Sequence, residues 1–322
     1  MHFDLIIVGG GPIGMVCGIE AKKGGLHYLI LEKGALVNSL FHFPANMTFF
    51  STSLLLEIGD VPFISHADKP TRTEALEYYR RIATAWQLPI HLYETVTAIK
   101  RQQTGFSVTS DKSLYTCDQV IVATGFYDQF ISLRVPGENL SKVKHYYDEA
   151  HPYYQQKLAV IGAGNSACDV ALECWQKGAQ VTLIVRGPQL KETIKYWIRP
   201  NIDNRIKDQS IRAYFNAKLV EIKDRSLIIW QDGQLHELEN DFVLAMTGYL
   251  PDYAFLSSMG VLLNTDEHRT PVYHEDTLES NIPGLYLAGV LIGGMKTNKW
   301  FIENTRDHGK KIVDHILFKR QK

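Results

Sequence analysis

Two glycine-rich stretches, Gly9-Gly10-Gly11-Pro12-Ile13-Gly14 and Gly162-Ala163-Gly164-Asn165-Ser166-Ala167, are the parts of this sequence best suited to chemistry. Each follows a short apolar run, Asp4-Leu5-Ile6-Ile7-Val8 or Lys157-Leu158-Ala159-Val160-Ile161, and each opens a helical pattern. An apolar run without alternation reads as a strand buried on both faces. The first glycine permits a tight turn and the second lets the backbone approach a phosphate. The third, which is Ala167 in the later copy, lets the helix pack on its strand. Such a turn presents free N–H groups and the positive end of a helix dipole to an anion. The chemistry is capture of a dinucleotide pyrophosphate.

The two units differ at the end of their second strand. After His27–Leu31 the first presents Glu32, which can accept hydrogen bonds from ribose hydroxyls and would repel a 2′-phosphate. After Gln180–Val185 the second presents Arg186, which can pair with a 2′-phosphate, and Lys191 can assist. The first unit is therefore expected to hold FAD or NAD, and the second NADPH. Together they imply one tightly bound flavin and one exchangeable nicotinamide, with the hydride chemistry supplied by the cofactors. The candidate contacts are Gly9, Gly11, Pro12, Ile13, Gly14 and Glu32 in the first unit. In the second they are Gly162, Gly164, Asn165, Ser166 and Arg186.

The elements that position these residues are legible along the chain. A helix over 13–23 ends at Gly24-Gly25, and one from Ser166 to about Lys177 ends at Gly178. Thr71-Arg72-Thr73-Glu74 is a capping box opening a helix with apolar face Ala75, Leu76, Tyr79, Ile82, Ala83 and Trp86. Strands are expected at 90–99, 105–109 and 114–123, ending in Ala123-Thr124-Gly125. Others are expected at 211–215, 217–223, 227–230 and 241–245, ending in Met246-Thr247-Gly248. A last buried strand runs over Gly284–Gly289, and a closing helix covers roughly 299–318. The fold class expected is α/β, with two Rossmann-like dinucleotide-binding domains. The NADPH domain (126–249) is inserted into the FAD domain (1–125 and 250–322).

Composition narrows the rest. With 322 residues, 45% of them apolar and 21% charged, the chain is an ordinary globular protein of about two domains. A formal net charge of −1 leaves no basic field for nucleic acid. The uncharged stretch Leu5–Ile19 is too short and too rich in glycine to span a bilayer. The 4 cysteines, Cys17, Cys117, Cys168 and Cys174, form no C-x-x-C and no disulfide framework. A soluble protein of the reducing cytoplasm, forming a homo-oligomer, is expected, and no metal site.

At this level the sequence resembles the two-dinucleotide-domain flavoproteins, of which low-molecular-weight thioredoxin reductase is the simplest. It is more closely similar to the bacillithiol disulfide reductase (YpdA) family. The likeness covers essentially the whole chain. Its more specific segments are Thr48-Phe49-Phe50-Ser51 and Thr297-Asn298-Lys299, beside Leu31-Glu32-Lys33-Gly34 and Leu287-Ala288-Gly289-Val290. Lys33, Thr48, Val96, Thr124, Gly125, Gly289 and Lys299 are counted with the fingerprint residues as cofactor contacts. The resemblance implies FAD, NADPH and a low-molecular-weight thiol disulfide as substrate. Three departures matter. Where thioredoxin reductases carry C-x-x-C, this chain reads His145-Tyr146-Tyr147-Asp148. A cysteine that often follows the fingerprint proline in the closer family is Ile13 here. Val290 replaces the thioredoxin-reductase aspartate, as it does in the closer family.

No residue is assigned a catalytic role. Cys17, Cys168 and Cys174 read as core packing, and Ser166 as a phosphate-binding hydroxyl rather than a nucleophile. His145 and His151 are candidate proton donors near the nicotinamide, or loop histidines satisfied by backbone. The rival functions are an NADPH-dependent flavin monooxygenase, an NADPH:ferredoxin or flavodoxin reductase, and a flavin-based redox sensor. Against the monooxygenase, Val135-Pro136-Gly137 with His145 has the wrong spacing for F-x-G-x-x-x-H.

Overall fold

A computed structural model describes residues 2–321. The chain divides into two compact units, Met1–Gln129 with Tyr249–Lys322, and Phe130–Gly248. Both are α/β, and the second is inserted in the sequence of the first.

The first unit is built on a seven-stranded sheet. Its centre is the strand His2–Val8, paired in parallel with Tyr28–Leu31 on one side and Leu114–Val122 on the other. Leu114–Val122 is forked. Its first half pairs with the antiparallel hairpin Val96–Arg101 and Phe106–Ser110, and its second half pairs in parallel with Leu285–Leu287. The register brings four strand ends to one level, since Val8 lies opposite both Leu31 and Val122, and Leu287 opposite Val122. Everything that follows those residues therefore emerges at one carboxyl edge, where open α/β sheets bind ligands. The core explains the continuous apolar runs. Leu5, Ile6, Ile7, Val120, Ile121, Val122, Leu285, Tyr286 and Leu287 are wholly buried, so these strands are covered on both faces.

In the second unit five parallel strands run in the order Arg212–Tyr214, Gln180–Ile184, Lys157–Ile161, Phe242–Ala245, Val143–Lys144. Ile184 and Ala245 both lie opposite Ile161, so this sheet also ends in register. Lys218–Ile222, Ser226–Gln231 and Gln234–Glu239 form a separate antiparallel meander.

Several expectations need correction. The strand expected over 90–99 is two, Ile90–His91 and Val96–Arg101, separated by a turn that places Tyr93 at φ +52°. The closing helix is broken into Ile302–Thr305 and His308–Arg320. Asn304 accepts from the Phe301 N–H and donates to the Lys299 carbonyl, and the Thr305 hydroxyl donates to the Phe301 carbonyl. These side chains cap the start of Ile302–Thr305, and Arg306 with Asp307 forms a turn before His308. On the helix Arg72–Ala85, Leu76 packs half-buried on the core as expected. Tyr78, not expected there, is buried as well, its hydroxyl accepting from Ile58 and donating to Val61 in the facing loop. Gln234–Glu239, a third meander strand, was not expected. It is mostly exposed, so no apolar alternation announces it.

Candidate functional site

The first cradle sits at the carboxyl edge of the seven-stranded sheet. Gly9 continues the strand at φ +111°, and a Cβ there would lie 2.6 Å from the Ala123 carbonyl. At Gly14 a Cβ would lie 1.8 Å from the Gly9 carbonyl, so the helix approaches the turn this closely only because Gly14 lacks a side chain. Gly11 differs from both. It caps Pro12–Lys23 in ordinary extended conformation, and a Cβ would meet nothing within 4 Å. The fold does not need a glycine at this position, whereas an anion approaching the helix N-terminus does. Pro12, at the first helical position, forgoes an N–H that the helix cannot use, and Ile13 is buried behind it. This open backbone cradle fits a dinucleotide pyrophosphate.

Glu32 is buried beside the cradle. Its Oε2 accepts from the Gly10 N–H at 2.6 Å and its Oε1 from the Gly34 N–H at 2.9 Å. Burial pushes its pKa up, and the two backbone donors oppose that shift. Each oxygen keeps a second lone pair for a ribose hydroxyl. The next residue, Lys33, is paired with Asp128 at 2.9 Å. Thr48 forms an isolated bridge with Thr71, Val96 opens its strand, and Thr124 and Gly125 follow Val122 at the edge, with Gly125 at φ +70°. Gly289 follows Leu287 at φ +78°, where a Cβ would lie 3.3 Å from that of Ile13. Lys299 extends its ammonium over the Trp300 ring, 4.7 Å from the centroid.

His308 is a residue that sequence reasoning missed. Buried at the start of the last helix, it accepts the Gly289 N–H on Nδ1 at 3.1 Å. Burial pushes its pKa down to about 4, so the ring is neutral at neutral pH and holds the proton on Nε2. Nothing in the local sequence marks it, because its partner lies 19 residues upstream.

The second cradle repeats the geometry with the opposite charge. Gly162, at φ +150°, would drive a Cβ to 2.4 Å from the Met246 carbonyl. Gly164 caps Asn165–Gln176 in extended conformation, with only Lys191 Cδ, at 4.0 Å, near its Cβ position. Asn165 is the first helical residue, Ser166 is exposed, and Arg186 stands exposed after Gln180–Ile184. Neither the Arg186 guanidinium nor the Lys191 ammonium pairs with a carboxylate among the described residues.

The four cysteines are buried and unpaired, and burial pushes each thiol up to about 12. None supplies a thiolate at neutral pH. His145 stacks on Phe130 with centroids 3.7 Å apart, and its Nε2 lies 3.4 Å from Glu138. Burial lowers its pKa and the Glu138 charge opposes this. His151, itself exposed, begins a 3-10 turn whose last residue, Tyr153, is buried. No cluster among the described residues could hold a metal ion, and no helix among them is long and apolar enough to cross a membrane.

Comparison with known proteins agrees with this geometry. The family model for pyridine nucleotide-disulphide oxidoreductases matches residues 6–289, which include both cradles. The chain belongs to that family. Within the pyridine nucleotide-disulphide oxidoreductases, it is 41% identical to Bacilliredoxin reductase Bdr of Bacillus subtilis over 97% of this chain and 96% of that one. It also matches the solved structure of Bacillithiol Disulfide Reductase Bdr (YpdA) from Staphylococcus aureus, with TM-score 0.96, 42% identity and 100% coverage of both chains. The Bacillus cereus enzyme gives TM-score 0.97 at 40% identity, over 99% of this chain and 100% of that one. The chain is therefore an oxidoreductase of this family, using a flavin and a nicotinamide. A thioredoxin reductase from T. acidophilum, 21% identical with TM-score 0.77, shares the fold.

Proposed function

We propose that the enzyme takes a hydride equivalent from NADPH, passes it through FAD, and reduces a low-molecular-weight thiol disulfide of the bacillithiol disulfide type. The overall change is NADPH, a proton and a disulfide giving NADP⁺ and two thiols. FAD belongs to the 1–125 and 250–322 portion, and NADPH to 126–249. The observation that carries the cofactor assignment is the contrast between two like cradles, one ending in a buried carboxylate and the other in an unpaired guanidinium. A carboxylate beside the ribose disfavours a 2′-phosphate and a guanidinium attracts one. The disulfide substrate is supported by the 41% identity to a bacilliredoxin reductase and the 42% identity to a bacillithiol disulfide reductase.

The bound cofactors supply the two-electron chemistry. This chain's residues bind and orient. Gly11 and Gly164 open the backbone to pyrophosphate, Glu32 accepts from ribose, and Arg186 with Lys191 faces the 2′-phosphate. Because every cysteine is buried with its thiol held protonated, the substrate disulfide is not relayed through a protein thiol. Chromatography of the flavin released on denaturation, with anaerobic bleaching rates for NADPH and NADH, tests the assignment. FAD with faster bleaching by NADPH supports it. FMN, or equal rates with the two coenzymes, contradicts it.

A further inference from the structure

Between the strand ending at Ile184 and the helix Arg199–Lys207 runs a strap, residues 187–198, which doubles back to the second cradle. Its aliphatic residues Leu190, Ile194 and Ile198 are buried, while Lys191, Tyr196 and Trp197 are exposed. The strap is tied to the cradle at three points. The Lys191 N–H donates to the Ala163 carbonyl at 2.9 Å, inside the glycine turn itself. The Lys195 N–H donates to Asn165 Oδ1 at 2.9 Å, and Asn165 Nδ2 donates to the Thr193 carbonyl at 3.2 Å. The Asn165 amide thus bridges two strap backbone groups from the first helical position, as a backbone neighbour in a turn would.

Asn165 was expected to touch the coenzyme, but its amide is engaged in holding the strap. What the strap carries is Lys191, whose stem passes 4.0 Å from the Cβ position of Gly164, the glycine left open for a pyrophosphate. An ammonium on four rotatable bonds has little selectivity unless its backbone is fixed. We propose that Asn165 is a positioning residue for coenzyme selectivity: it clamps the strap so that Lys191 completes, with Arg186, a socket for the 2′-phosphate of NADPH. The inference rests on the NADPH reading above.

The two roles for Asn165 separate cleanly in binding. A direct contact to the pyrophosphate serves NADP⁺ and NAD⁺ alike, whereas a clamp on Lys191 serves only the coenzyme with the extra phosphate. Dissociation constants of the flavin-loaded protein for NADP⁺ and NAD⁺ are measured for Asn165→Ala, Lys191→Ala, Arg186→Ala and the Asn165→Ala/Lys191→Ala double variant. Asn165→Ala is expected to weaken NADP⁺ by roughly tenfold, the loss of about one charged phosphate contact, and to leave NAD⁺ unchanged. In the Lys191→Ala background it should have no further effect, because the two residues act as one unit. Trypsin should also cut faster after Lys191 and Lys195, a sign of strap release that needs no ligand. Equal weakening of both coenzymes, or an undiminished effect of Asn165→Ala in the double variant, overturns the clamp. Lys191 is exposed, so its substitution is safe for folding. If Lys191→Ala leaves NADP⁺ affinity intact, there is nothing for Asn165 to position and the proposal fails, even should Asn165→Ala not fold. Failure of the underlying reading looks different: Arg186→Ala and Lys191→Ala would both leave the NADP⁺/NAD⁺ ratio unchanged.

Discussion

Gly11→Ala separates what the first cradle does for the fold from what it does for a ligand. Gly11 has φ −72° and ψ 178°, a conformation alanine adopts without strain, and its Cβ would meet no atom within 4 Å. Two small effects on the apoprotein oppose one another. The less flexible unfolded chain stabilises the variant by about 0.4–1 kcal/mol, and loss of a favoured cap residue costs a few tenths to about 1 kcal/mol. The net change in apoprotein stability is thus within about 0.5 kcal/mol of zero. On the proposed assignment the flavin responds differently, since the new methyl group would occupy the space through which its pyrophosphate reaches the helix N-terminus. Losing one charge-assisted hydrogen bond there costs about 1.5–3 kcal/mol, a roughly ten- to hundredfold weaker flavin. The assay is flavin content per chain and affinity by fluorescence titration of apoprotein, beside urea unfolding of the same apoprotein. Gly14→Ala is the contrast, because its Cβ would lie 1.8 Å from the Gly9 carbonyl and must disturb the fold itself. A Gly11→Ala protein that holds flavin as tightly as the parent refutes the pyrophosphate role. So does one whose apoprotein unfolds as readily as Gly14→Ala.

Alkylation offers a second test. With all four thiols buried and pushed up to about 12, N-ethylmaleimide applied to the NADPH-reduced enzyme should leave disulfide turnover unchanged, and one labelled cysteine with lost turnover would contradict this. His308 makes acid stability informative. Its folded pKa of about 4 lies below the ordinary value near 6.5, so the unfolded chain takes up the proton first. The stability it contributes is present above about pH 6.5 and is lost as pH falls from there through about 4, by roughly 3 kcal/mol. His308→Asn keeps an acceptor near the Nδ1 position for the Gly289 N–H but does not titrate. Urea unfolding at pH 7.5 and 4.5 should show a smaller acid loss in the variant, and equal losses would refute the buried neutral ring.

The parts of this protein legible in its sequence are those whose geometry is local. Gly9 and Gly162 take positive φ within a turn a few residues long, and Gly14 lies against the Gly9 carbonyl, although the carbonyls of Ala123 and Met246 that also exclude a side chain at Gly9 and Gly162 are distant in sequence. The continuous apolar runs before the turns follow from burial on both faces of a parallel strand. Glu32 and Arg186 were found because each ends the strand next to its cradle. Contacts between distant segments left no such trace. The bond from Gly289 to His308 and the bridge from Asn165 to Thr193 and Lys195 join segments that share no periodic pattern. Val143–Lys144 is a two-residue strand, too short to alternate, and it is recognisable only through its partner Phe242–Ala245. The break between Thr305 and His308 falls in the run Glu303–Lys311, which holds no apolar residue, so no periodicity could mark it.

The most direct test of the account is anaerobic. The flavin-loaded protein is mixed with one equivalent of NADPH until the flavin absorbance bleaches, and bacillithiol disulfide is then added while the flavin band and free thiols are followed together. Recovery of the band with two thiols released per flavin, unaffected by prior alkylation, is the predicted result. A flavin that stays bleached with the disulfide and recovers only with oxygen or a ferredoxin would contradict it.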